Sequence, residues 1–439
     1  MSGSDGRKPV IVVGAGLAGL TCALDLVRAG LRVRVLEAGD AVGGRMRTDH
    51  RDGFLLDRGF QVFNTSYPQV KRRIAVRSLR LRPFTPGFLI HTGSGRIRLA
   101  DPTRRPADAA GLLTGGQGPG ARALVALGAL SAFDAVAPAA VLKRLPERTT
   151  RAELARRHVP DSLVEGLLRP FLAGVFLEDG LETSSRMFHL TWRSMLRGTL
   201  TLPADGIGAV PRHLAEGLPP GCVALGAPVS SVSASGVVLA DGSALDAAAV
   251  VVATAPSAAS ALIPGLSAVA TRTVTTYHHA AARSPLGEPT LLLDQRRRFL
   301  NTCVPTDVAP TYGCDGRALV STSVLGADAP GREARLREVL AEVYAVATEA
   351  WETVGTVTVT DALPAMAPPW PLSRTGRTAP GVYVCGDHRA TGSVQGAMAS
   401  GTRTAREVLA DLHGPPGALS PRSAARTGPR SPGGGAAPS

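Results

Sequence analysis

The sequence predicts an α/β fold in which a doubly wound parallel sheet is interleaved with an α+β domain. Three apolar runs predict it: "VIVV" at 10–13, "AVVV" at 249–252 and "VYV" at 382–384, each followed at once by small residues. Continuous apolar runs rich in valine suit strands buried on both faces of a parallel sheet. At 439 residues the chain is long enough for two interleaved units rather than one.

After the first run, Gly14, Gly16 and Gly19 make a GxGxxG turn, and Leu17 to Ala29 carry apolar residues at helical spacing. The first glycine permits the tight turn and the second lets a pyrophosphate approach the backbone. The third brings helix and strand together. Leu17 and Ala18 then open a helix whose free N–H groups and dipole favour an anion. The motif alone is common, but the strand before it and the helix after it make it specific.

Val33 to Leu36 read as the second strand, with Glu37 at its end, 18 residues after Gly19, and Ala38 next to it. A carboxylate there accepts from ribose hydroxyls and repels a 2′-phosphate, which disfavours NADP. Gly43, Gly44 and Arg45 follow, a glycine pair and an arginine that a plain NAD-binding unit does not need. This E-x5-GGR extension resembles the signature of the flavin amine oxidase, phytoene desaturase and protoporphyrinogen oxidase superfamily. The resemblance implies a Rossmann-like FAD-binding domain (GR2-type), with Arg45 along the phosphates and ribityl chain. It further implies that Asp57-Arg58-Gly59 is the step into the substrate domain and that the backbone of Val229 meets the adenine. Ala253, Thr254 and Ala255 would close over the FAD.

The C-terminal "VYVCGD", then "GSVQGAMASGTRTAREVL", carries the same resemblance. Gly386 makes a turn, and Asp387 is implied to hold the ribityl and phosphate end. A helix starting near Ser393 to Gly396, after Gly392 and through Val394, is implied to aim its N-terminus at the flavin, with Gly396 and Ala397 small enough for the ring to approach. Amine-oxidising relatives often use a lysine near the flavin, yet this sequence has no lysine after Lys143. No cysteine precedes Val382 where some relatives tether the cofactor, so FAD is expected to be non-covalent. His388 and Trp370 are the candidates for a catalytic or flavin-facing role, and the catalytic group itself is otherwise unidentified. Arg186, Trp192 and Arg193 are pocket candidates against the alternative of a solvated helix face.

Elsewhere the pattern predicts a strand at Phe54–Leu56, strands within "GFLIHTGSGRIRL", and mostly helix over 105–200 with a loop at 114–121. It predicts a hairpin through "ADG" at 240–242, strands near 272–282, 290–294, 299–304 and 318–324, and a helix over 332–350. His278 and His279 share a strand, where one faces in and one out, so they make no metal pair. The domains predicted are 1–60 with 205–265 and 361–413 for FAD, and 61–204 with 266–360 for substrate. A Pro/Gly/Ser-rich tail at 414–439 is expected to be disordered.

Composition bounds the remaining classes. Net charge is +13, but only three lysines accompany 45 arginines, a skew that fits GC-rich coding. Aromatics are 4% and interleave with no basic run, which argues against nucleic acid. The charge leaves peripheral contact with an anionic membrane open. Five scattered cysteines with no CxxC, and no evident targeting segment, predict a cytoplasmic protein without a metal site. With no second strand-GxGxxG-helix unit for a nicotinamide, the expected partners are a small-molecule substrate and oxygen or another electron acceptor. The reaction expected is hydride removal from a largely apolar compound by CH–CH desaturation, with CH–NH oxidation second. A flavin-bound isomerase or binding protein is the third alternative.

Overall fold

The computed structural model describes residues 8–59, 62–100, 104–105 and 120–413. The segment before Lys8, most of the glycine-rich stretch at 114–121 and the tail from Gly414 lie outside the described residues.

The three apolar runs lie side by side. Val10–Val13 pairs in parallel with Val33–Leu36 on one side and Ala249–Val252 on the other. Val223–Ala224 extends the sheet beyond Val33–Leu36, and Val382–Val384 extends it beyond Ala249–Val252, both parallel. Arg377–Ala379 closes the second edge antiparallel. Alternation along each strand divides the core. Val10, Val12, Val251 and Tyr383 pack against helices Leu17–Arg28 and Val394–His413. Ile11, Val13, Val250 and Val384 face the opposite way, beneath the antiparallel meander Val229–Ser233, Gly236–Leu239 and Ala244–Asp246. Both faces are covered, which is why these strands read as unbroken apolar runs.

The second sheet has seven strands, in the order Glu352–Pro364, Thr271–Ala281, Ala318–Leu325, Asn301–Cys303, Leu292–Asp294, Gly87–Thr92 and Gly95–Ala100. One face lies under helix Arg332–Tyr344, with Tyr277, Val320, Leu336 and Leu340 in contact. The other meets a helical layer that includes Arg169–Phe176 and Ser185–Arg197. Because both faces are covered, His278 and His279 are both buried, contrary to the one-in, one-out expectation. Their side chains do alternate: His278 Nε2 donates to the Asp57 carbonyl at 3.2 Å, and His279 Nε2 meets Glu333 of the covering helix at 2.9 Å. The helix expected to run to 350 stops at Tyr344, where Ala345 turns left-handed. Strand Glu352–Pro364 runs four residues past the 360/361 division expected from sequence.

Among the described residues no helix is long and apolar enough to cross a membrane. The helical layer is tied internally by a buried network in which His189 Nδ1 meets Asp134 at 2.8 Å and Nε2 meets Glu153 at 3.3 Å. Arg148, Arg156 and Arg157 hold the Glu153 carboxyl well below its usual range, overcoming the burial that opposes its charge.

Candidate functional site

A cavity of about 850 Å³ is lined by residues of both sheets. One wall is the glycine turn. Gly14 has φ +103°, and a Cβ there would lie 2.9 Å from the Ala253 carbonyl oxygen, so the turn needs both the freedom and the size of glycine. Gly16 is different. Its φ of −73° suits any residue, and a Cβ there would meet nothing within 4 Å. Its bareness serves the open space beside it. No side chain caps helix Leu17–Arg28, so its first N–H groups are left for a ligand.

Glu37, Ala38, Gly43, Gly44 and Arg45 complete this wall. Glu37 Oε2 accepts from the Ala15 N–H at 2.7 Å and Oε1 from the Gly39 N–H at 2.9 Å. Each oxygen keeps a further lone pair. Gly43 bridges to Gly16, which ties the GGR segment to the first turn. Arg45 then reaches across the fold. It donates to Asp387 Oδ1 at 2.7 Å and to the carbonyls of Asp361 and Ala362 at 3.3 and 3.0 Å. Three segments distant in sequence thus meet on one guanidinium. A dinucleotide fits this wall on the chain's own terms: bare backbone at Gly16, an uncapped helix start, a carboxylate for hydroxyls and a cation for phosphate.

Val229 and Ala253 also line the cavity, as do Gly386, Asp387, Gly392, Val394 and Ala397. Two predicted contacts do not. A Cβ on Gly19 would sit 2.0 Å from the Gly14 carbonyl oxygen, so this glycine serves helix-to-strand packing. A Cβ on Gly396 would sit 1.8 Å from the Thr391 carbonyl oxygen, so Gly396 admits that loop, and Ala397 is the residue facing the cavity.

His388 and Trp370 also fall outside the lining. The His388 ring folds back beneath Gly386 and is 2% exposed, with neither nitrogen hydrogen-bonded. Burial pushes it down to about 4, so it is neutral at pH 7. Trp370 donates from Nε1 to the Ala390 carbonyl at 2.9 Å, and Arg374 lies over its ring at 4.8 Å. Both are packing residues of the loop behind the site. His388→Phe is accordingly expected to leave the rate of flavin reduction within about twofold of wild type, measured by stopped-flow absorbance.

Arg186, Trp192 and Arg193 turn away from the cavity as well. Arg186 and Arg193 donate to the carbonyls of Leu145, Asp134 and Ala135, and Trp192 packs edge-on to Phe171. Their helix presents Thr191 and Met195 instead, a stripe four residues apart. Cys385 is a fully buried free thiol in the parallel-sheet core and does not line the cavity.

Much of the remaining lining falls within the segments 61–204 and 266–360 expected on the substrate side, at residues with no sequence signal of their own. Phe171, Gly174, Val175 and Phe176 come from one helix, Val274, Leu293, Asn301, Ser323 and Val359 from the seven-stranded sheet, and Leu291 from the residue just before strand Leu292–Asp294. Arg58 is the one charged side chain in this part of the lining among the described residues, and Asp49 holds it at 2.7 and 3.0 Å.

Residues 17–409 match the family described as flavin containing amine oxidoreductase. The coproporphyrinogen III oxidase of Bacillus subtilis (strain 168) is 27% identical over 192 residues, 40% of this chain and 38% of that protein. The phytoene desaturase of Fusarium fujikuroi is 33% identical over 98 residues, 21% of this chain and 17% of that one. These matches thus span well under half of the curated relatives. In structure, the cyclohexylamine oxidase from Brevibacterium oxydans IH-35A superposes with a TM-score of 0.66 at 19% identity, covering 93% of this chain and 100% of that one. This likeness extends to the α/β fold as a whole. With the family match running from the first helix to the last, the chain belongs to the flavin-containing amine oxidoreductases.

Proposed function

We propose that the chain is an oxidoreductase with non-covalent FAD that removes a hydride from a largely apolar small molecule, desaturating a CH–CH bond as the adjacent carbon releases a proton to solvent, with oxygen or another acceptor taking the electron pair. The observation that carries this reading is the two-sided cavity. Its one side offers bare backbone, Glu37 and the Arg45–Asp387 pair, and its other side is mostly apolar, with a few neutral polar side chains such as Asn301 and Ser323 and with Arg58 already engaged by Asp49. The division of the chain goes with it: 1–60, 205–265 and 361–413 hold FAD, while 61–204 and 266–360 shape the substrate side.

FAD, when bound, supplies the hydride acceptor at N5. The chain's residues would bind and orient. The N–H groups at the start of helix Leu17–Arg28 and Arg45 hold the phosphates, and Glu37 takes ribose hydroxyls. The positive end of helix Val394–His413 favours negative charge at the ring. Phe171, Leu291, Leu293 and Val359 would exclude water and hold the apolar part of the substrate by contact. Such walls discriminate against an ammonium or carboxylate, which would lose hydration without gaining a counter-charge.

CH–NH oxidation with oxygen as acceptor stands second, since the family includes it by name. Against it stand the missing lysine and the lack of an acidic side chain on the apolar side among the described residues. The test is an anaerobic titration of the yellow protein with amines, with apolar alkenes and with tetrapyrrole precursors, read as bleaching of the flavin band. Bleaching by the alkenes or tetrapyrroles is expected. Bleaching by amines alone would transfer the assignment to CH–NH oxidation, and a protein that takes up no FAD would end it.

A further inference from the structure

The apolar side of the cavity contains one place that its packing does not explain. Asn301 begins the short strand Asn301–Cys303 and lies directly across from Ser323 in the antiparallel register. Both residues line the cavity among leucines, valines and phenylalanines. Asn301 is 8% exposed, and among the described residues its Oδ1 has no hydrogen-bond partner. Ser323 has one side-chain neighbour, the Thr276 hydroxyl at 2.9 Å, which leaves its oxygen with spare capacity. A buried amide without a partner is costly, and an apolar residue of the same shape would suit this wall better.

A second observation points the same way. Helix Arg169–Phe176 carries Gly174 in its interior, where glycine is a poor helix residue. A Cβ on Gly174 would stand 3.0 Å from Asn301 Nδ2 and 3.5 Å from the Leu300 carbonyl oxygen. The facing helix therefore gives up a side chain, and the space is taken by the amide. Two local costs are borne at one spot, and neither improves the fold.

Building on the proposed function, we propose that Asn301 and Ser323 bind an uncharged hydrogen-bonding group, a hydroxyl, on an otherwise apolar substrate. Oδ1 is itself shut off from solvent, so Nδ2 is the amide atom that can donate to a hydroxyl oxygen. The Ser323 hydroxyl adds a second contact from the neighbouring strand. With no counter-charge on this side among the described residues other than Arg58, which Asp49 holds, the group recognised is neutral. Asn301 is a specificity-determining residue in this account and takes no part in hydride transfer.

The test titrates the FAD-loaded protein with phenylbutanol and with butylbenzene, following the shift of the flavin visible band. Wild type is expected to bind the alcohol about tenfold more tightly than the hydrocarbon, the worth of one well-made hydrogen bond. Asn301→Leu keeps the side-chain shape and is expected to abolish that preference by weakening the alcohol alone. Its Tm is expected to hold or to rise by about 2 °C, because the unpaired amide is gone. A purely structural asparagine would instead lower Tm and leave the preference intact, and that result overturns the proposal. Ser323→Ala provides a second variant, expected to cut the preference about threefold. An unchanged preference there counts against the proposal too. If wild type binds FAD but treats the two ligands alike, the inference fails while the oxidoreductase reading stands. If the chain binds no FAD, both fail.

Discussion

Gly16→Leu is expected to give a stable, colourless protein. A Cβ at this position meets nothing within 4 Å, and the backbone already has a φ of −73°, so the polypeptide is expected to accept a side chain there. What the leucine fills is the open ground between the first helix start and Gly43, where the pyrophosphate would lie. A cofactor that needs close approach to that backbone should lose at least a hundredfold in affinity, about 2.7 kcal/mol. The urea midpoint of the apoprotein should stay near wild type. Gly19→Ala should behave in the opposite manner. Its Cβ would press on the Gly14 carbonyl oxygen at 2.0 Å, and backbone cannot give way as a flexible side chain can. Overpacking of this kind costs about 1–3 kcal/mol and should appear in the urea midpoint whether or not FAD is present. The two variants together separate a glycine kept for a ligand from a glycine kept for packing. Gly16→Leu protein that retains FAD at wild-type affinity would remove the cofactor assignment from this turn.

That contrast also shows what could be read in the sequence and what could not. The strand, turn and helix at 10–28 are written in contiguous residues: a β-branched run, glycines at fixed offsets and helical apolar spacing. The same is true of Val382–Val384 and the helix after it. Each such feature is decided by its neighbours in the chain, so it survives without knowledge of the fold. Asn301, Ser323 and Gly174 carry no such signal. They become a site because two antiparallel strands and a helix from another part of the chain converge there. His388 marks an intermediate case. Its place beside Asp387 is evident in the sequence, but the turn at Gly386 folds the imidazole behind the site and the carboxylate toward it. Sequence adjacency specifies nearness and leaves the side undecided. Gly396 shows the same limit: its small size is expected from sequence to admit the ring, and it admits the Thr391 carbonyl, whereas Gly19 packs helix on strand as its place in the motif implies.

Asp57 is expected to set a pH-dependent limit on stability. Its buried carboxylate accepts from Thr48 Oγ1 at 2.6 Å, the Ile207 N–H at 3.0 Å and Tyr312 Oη at 2.7 Å. It thereby joins the hairpin of Thr48–Arg51 and Phe54–Asp57 to two distant loops, just before Arg58 and Gly59 enter the cavity wall. Burial pushes it up to about 6 from 3.8, and the three donors only partly oppose this. A carboxyl raised on folding contributes stability that is complete below its unfolded value and is lost as pH climbs through the folded one. The full difference is about 3 kcal/mol, of which about 1.4 kcal/mol lies between pH 8 and pH 5. Asp57→Asn cannot ionise, yet its oxygen can keep the Thr48 and Ile207 donors while the Tyr312 hydroxyl turns to accept from the amide. It should therefore exceed wild type in stability at pH 8, with the gap shrinking by about 1.4 kcal/mol at pH 5. His278 and His388, both pushed down to about 4 by burial, make wild type and variant alike more labile in acid, so the difference between them isolates Asp57. Asp57→Ala strands all three donors and should cost about 3–5 kcal/mol at either pH. Urea titrations of the three proteins at pH 5 and pH 8 decide the matter. A constant gap between wild type and Asp57→Asn would mean that the carboxylate stays ionised throughout. The three donors would then outweigh burial, making Asp57 an ordinary anionic anchor for the Arg58–Gly59 wall.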